Sequence, residues 1–153
     1  MKGKTILILL AIIFALPSFA QNQRSKSDHE SKRKEMMEFK LKFLADEMDL
    51  NDSQRKQFNE VYSQMETERR AVFKKIKDAE KIIKGNKNAS EADYDKATKD
   101  ISAAKAQMAQ IEKTYDEKFS KFLTKKQIFK MKEAEDKFKE TVRKCRDKKK
   151  NEK

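Results

Sequence analysis

The chain has 153 residues, 42% of them charged and 37% hydrophobic, with a formal charge of +12 and only two Gly, one Pro and one Cys. So little Gly and Pro removes the turn residues that a sandwich, barrel or doubly wound sheet needs every ten residues or so, and long helices are what remains. The positive charge, taken alone, points to an acidic partner such as nucleic acid.

Residues 1–20, MKGKTILILLAIIFALPSFA, change that reading. Lys2 and Lys4 precede an unbroken apolar run from Ile6 to Leu16, Pro17 ends the run, and Ser18-Phe19-Ala20 offers the small residues that a signal peptidase inspects. The pattern is that of a secretory signal peptide cleaved after Ala20. Eleven apolar residues reach only about 16 Å into a hydrocarbon core of roughly 30 Å, so no stable membrane anchor is expected. Without the leader, 133 residues carry a charge of +10, contain no Pro and keep Gly85 as their only Gly. Export makes nucleic acid an unexpected partner. Hydrophobic residues fall to about a third, enough for a thin helical seam rather than a thick core. Dimerisation is a natural remedy for so thin a core.

Residues 21–33 are polar and are expected to form a flexible arm ahead of the helical domain, 34–146. The first helix is predicted over about Ser31–Glu47, with Met37, Leu41, Leu44 and Met48 in one stripe and Met36, Phe39 and Phe43 beside it. The second is predicted from Asp52 to Lys84 on the stripe Phe58, Tyr62, Met65, Val72, Ile76, Ala79 and Ile83, with Arg69 in its one gap. Gly85 stands where a helix C-cap takes positive φ, and Ser90 with Asp93 reads as a capping box. The third helix is predicted over Glu91–Phe122, with Tyr94, Ala97, Ile101, Ala104, Met108, Ile111, Tyr115, Phe119 and Phe122 on one face. The fourth is predicted over Lys125–Arg146, with Ile128, Met131, Ala134, Phe138, Val142 and Cys145 on its face, followed by a fraying basic tail, 147–153. Two central helices of about 48 Å joined by a five-residue loop must pair as a long antiparallel hairpin. The expected fold class is therefore all-α: four helices around that hairpin, elongated and thin.

Two helix starts share a spelling. Leu50-Asn51-Asp52-Ser53-Gln54 opens the second helix and Leu123-Thr124-Lys125-Lys126-Gln127 opens the fourth, 73 residues later. Thr124 is a good N-cap, Gln127 can reach back to its N–H, and Leu123 can staple onto Ile128. Asn51 and Gln54 repeat the box, although Arg55 replaces the second apolar residue of the staple. Alone, a capping box says only that a helix starts.

Two L-[TN]-x-x-Q boxes in an exported all-helical chain resemble the LTxxQ signature of the Spy/CpxP family, with Asn51 the single departure. The resemblance covers nearly the whole chain after the leader. It implies a small periplasmic stress protein forming an antiparallel, cradle-like homodimer. In the Spy branch such proteins hold unfolded clients without ATP; in the CpxP branch they also restrain the periplasmic domain of an envelope-stress sensor kinase. More distant relatives bind zinc or other heavy metals. A Skp-like chaperone is also basic and exported, but its small β body has no counterpart in the sequence pattern.

Neither a nucleotide cofactor nor catalysis is expected. One Gly cannot build a phosphate-cradling loop, and His29 and Cys145 stand near opposite ends of the chain. A single His and a single Cys are too few for a zinc site in one chain, and their positions do not favour pooling across a dimer, so no metal is expected and a metal-responsive periplasmic sensor ranks behind the chaperone and kinase-inhibitor readings. Cys145 reads as part of an apolar face, with an intermolecular disulfide as the alternative. Client binding suits the composition better. Met and Phe supply soft, adaptable contact, and Lys and Arg speed capture of acidic segments. Arg69, Arg70, Lys74, Lys75 and Lys77 concentrate charge at mid-helix around Phe73, which lies off the main stripe. This cluster is the candidate client-binding surface, set against the simpler reading of a solvated helix face.

Overall fold

The computed structural model describes residues 26–151, so the expected leader and cleavage site lie outside the described residues. The described residues form four α-helices and no strand: α1 (Lys26–Glu47), α2 (Asp52–Gly85), α3 (Glu91–Phe119) and α4 (Lys125–Asn151). The chain divides into two units, 1–35 and 36–153, and the packing below is internal to the second.

Helix bounds differ from expectation in ways that trace to composition. Residues 26–33, expected as a flexible arm, are helical, and so are residues 147–151 of the expected fraying tail. Both stretches are rich in Lys, Arg, Glu and Asp and contain neither Gly nor Pro, so propensity and i,i+4 pairs carry the helix past the last core residue. Ser31 to Glu35 is one such pair (3.3 Å). α3 stops at Phe119, three residues early. Ser120 N–H and Oγ both donate to the Asp116 carbonyl, and Phe122 and Leu123 N–H both donate to the Phe119 carbonyl, closing a tight final turn.

Gly85 does not take positive φ. It is the last residue of α2, and Asn86 closes the helix with extended backbone, donating its N–H to Ile83 O. The positive φ falls instead on Asp49 (55°). Asp49 N–H donates to Asp46 O and Leu50 N–H to Ala45 O, the paired bonds of a Schellman end, with Leu50 buried beyond it.

One apolar core joins the helices of the second unit: Leu41 and Leu44 from α1 with Met48 just beyond it, Phe58 to Val72 from α2, Ala104 to Phe119 from α3, and Met131 and Ala134 from α4. Phe58, Tyr62, Tyr115 and Phe119 interlock with ring centroids 5.0–6.4 Å apart, and Phe39 and Phe43 flank Phe138. α2 and α3 meet at Phe58 with Phe119, Glu68 with Tyr115, and Lys75 with Gln107. Past Val72 and Ala104 the seam thins: Ala79 is buried, Ile76 and Ile101 are half-buried, and Tyr94, expected on the seam, is exposed.

Candidate functional site

Both boxes form as capping boxes. Asn51 Oδ1 accepts from Gln54 N–H (2.9 Å) and Gln54 Oε1 accepts from Asn51 N–H (3.2 Å). Thr124 Oγ1 accepts from Gln127 N–H (3.2 Å) and Gln127 Oε1 accepts from Thr124 N–H (2.9 Å). Leu50 and Leu123 are both buried in the core, and Ile128 packs against it. Arg55 makes a polar clasp where a staple would lack its second apolar group: its Nε donates to Leu50 O (2.9 Å) and its Nη1 pairs with Asp46 (2.8 Å).

The sequence reading treated the boxes as separate caps, but they are joined. Gln54 Nε2 donates to Gln127 Oε1 (3.2 Å), Gln127 Nε2 donates to Gln54 Oε1 (3.3 Å), and Gln54 Nε2 also donates to Phe122 O (3.0 Å). Each glutamine thus holds its own cap and the other box, tying the α1–α2 corner to the α3–α4 corner. The signal was present: the same residue at the same box position, 73 residues apart, in a polar role close to buried leucines.

A second polar centre draws on all four helices. Arg69 Nη1 lies 3.2 Å from both Glu66 and Glu135, and its Nη2 lies 3.9 Å from Glu112. Lys40 pairs with Glu66 (3.4 Å) and sits 5.0 Å from the Tyr62 ring centroid, while Tyr62 Oη donates to Glu135. Burial pushes the Lys40 pKa down, with Glu66 and Glu135 opposing it. Burial is likewise the largest cause raising the Tyr62 pKa, and the two carboxylates add to it. For Arg69 burial works against the charge, but Glu135 and Glu66 outweigh it and hold the guanidinium above its usual range. A cation in the gap of an otherwise apolar stripe is explained by these partners.

The candidate basic cluster therefore divides. Arg69 is engaged by three glutamates and points away from any open surface role. Arg70, Phe73, Lys74, Lys75 and Lys77 are exposed. Lys74 pairs with Asp78, Lys75 donates to Gln107 (3.0 Å), and Lys77 pairs with Glu80 (3.1 Å) while lying 5.3 Å from the Phe73 ring centroid. Sequence reasoning missed two further exposed apolar groups, Ile82 and Phe129. Ile82 follows Lys81 and precedes Lys84, and Phe129 stands between Lys126 and Lys130.

Between α3 and α4 lies an open depression of about 650 Å³ lined by Ala109, Glu112, Lys113, Asp116, Lys125 and Lys132. Among the described residues no group of three or more His, Cys, Asp or Glu is placed to hold a metal, and no helix is long and apolar enough to cross a membrane. Cys145 is a half-buried free thiol on α4. Comparison of the chain with protein-family models, curated proteins and solved structures finds no match in any of the three.

Proposed function

We propose that the protein is a periplasmic, ATP-independent chaperone of the kind its two boxes resemble, holding unfolded clients as a cradle-like homodimer. The α2–α3 pairings, Phe58 with Phe119, Glu68 with Tyr115 and Lys75 with Gln107, support a long antiparallel hairpin as the frame of each protomer.

One observation carries the functional reading. Phe73, Ile82 and Phe129 are 53%, 63% and 64% exposed, each with lysine beside it in space or in sequence. Scattered apolar–cationic points of this kind give weak, adaptable contacts to many chains rather than one shaped pocket. The lysines' ion pairs are solvent-exposed and exchange for client carboxylates at little cost. Arg69 drops out of this surface, which becomes Arg70, Phe73, Lys74 and Lys77, with Ile82 and Phe129 as separate exposed apolar points.

The test is suppression of light scattering by an aggregating client without ATP, together with mass in solution. A dimer that protects at near-equimolar ratio, and a triple variant Phe73→Ser/Ile82→Ser/Phe129→Ser that keeps its helicity but loses most protection, are expected. A wild-type chain that fails to protect, or a triple variant that protects equally well, overturns the reading.

A further inference from the structure

Among the described side chains Phe138 is the last buried one of α4, yet the helix runs on for thirteen residues to Asn151. Residues 137–151 carry eight Lys or Arg against two acidic residues, Glu140 and Asp147. Lys139, Arg143, Arg146 and Lys150 recur at i, i+4, i+7 and i+11, so they form one line along the helix, about 16 Å long. All four are exposed. Lys139 pairs only with solvent-exposed Asp136 (3.1 Å), a contact that is cheaply exchanged. Compensation of the helix dipole would account for cations in the last turn, but this line begins three turns earlier.

We propose that this line docks the protein reversibly on an anionic lipid headgroup surface. Charge complementarity argues for an anionic ligand, and the arrangement argues for a flat one. Glu140 and Asp147 occupy a neighbouring line of the same helix, roughly a quarter turn away. A nucleic-acid groove surrounds a helix with phosphate and would set those carboxylates against it, whereas a planar headgroup layer meets the cationic line alone and leaves the acids in water. Clusters of four or more cations along a helix recognise anionic headgroups in this way.

The experiment is co-sedimentation of the chain without its expected leader, residues 21–153, with vesicles of phosphatidylcholine alone or phosphatidylcholine with phosphatidylglycerol, at low and raised salt. The test variant is Lys139→Gln/Arg143→Gln/Arg146→Gln/Lys150→Gln. The control, Lys74→Gln/Lys75→Gln/Lys77→Gln/Lys84→Gln, removes equal charge from α2 and keeps the same N-terminus. Glutamine sustains exposed helix, and circular dichroism verifies that both variants fold. Each surface cation strengthens binding by about fivefold, so the α4 variant is expected to bind phosphatidylglycerol vesicles at least about tenfold more weakly than wild type and control. Equal weakening of both variants, salt-independent binding, binding to phosphatidylcholine alone, or a stripe-dependent preference for duplex DNA over vesicles would each overturn the proposal.

Discussion

The reciprocal bonds between Gln54 and Gln127 make a sharp prediction through Gln54→Glu. Glu is a preferred partner at the third position of a capping box, and its charge suits a helix N-terminus. If Gln54 served only its own cap, this variant would be neutral or slightly stabilising. The carboxylate can still accept from Asn51 N–H and from Gln127 Nε2, but it cannot donate to Phe122 O or Gln127 Oε1. Two hydrogen bonds of about 1 kcal/mol each are lost, and a half-buried carbonyl is left facing a carboxylate, so a net loss of about 2–3 kcal/mol is expected. With a urea slope of ~1–2 kcal/mol/M, the unfolding midpoint falls by roughly 1–3 M. Acid restores one donor, so the gap to wild type narrows as the introduced carboxyl protonates below about pH 5. Gln54→Ala and Gln127→Ala should be coupled by about 1 kcal/mol in a double-mutant cycle. A Gln54→Glu protein within ~0.5 kcal/mol of wild type, or alanine variants additive to that margin, would show that the boxes are independent caps.

Arg69→Met leaves Glu66 and Glu135 facing each other without their shared cation, and because these groups are partly exposed a loss of about 2 kcal/mol is expected by urea unfolding. Glu135→Gln in the same background should recover part of that loss. Tyr115 is pushed up to about 12 by burial and by its bond to Glu68. Its native pKa lies above the unfolded value of about 10, so its contribution is whole below pH 10 and is lost as pH rises from 10 to 12; Tyr115→Phe should flatten that fall in stability. Lys40 has the opposite sign: with its native pKa lowered, it makes stability rise with pH in the window just below 10.5, a rise that Lys40→Met should abolish. Asp49→Gly should be about 1 kcal/mol more stable than Asp49→Ala, since both lose the Lys130 pair but only alanine keeps the strain of positive φ.

What was legible in the sequence was whatever local spacing encodes. Four helices, both boxes and most of the buried stripe follow from apolar residues at steps of three and four and from N-cap chemistry, because those signals act within one or two turns. What was not legible depends on partners far along the chain. Arg69 read both as the gap in the apolar stripe and as one of a basic cluster with Arg70, Lys74 and Lys75, because the carboxylates that draw it inward stand at 66, 112 and 135. Gly85 read as the left-handed cap because glycine tolerates that conformation best, yet tolerance is not demand. The corner between α1 and α2 must turn within four residues while burying Leu50, and that demand places positive φ on Asp49. The loop after Gly85 has no such constraint, since Ala89 is half-buried and its neighbours are exposed, so an extended Asn86 suffices. The same reasoning separates two kinds of cation. Cations set into an apolar stripe, such as Arg69, are recruited by carboxylates of other helices and hold the bundle together. Cations aligned off the stripe, as at Lys139, Arg143, Arg146 and Lys150, lie exposed on the helix surface and take no part in the core.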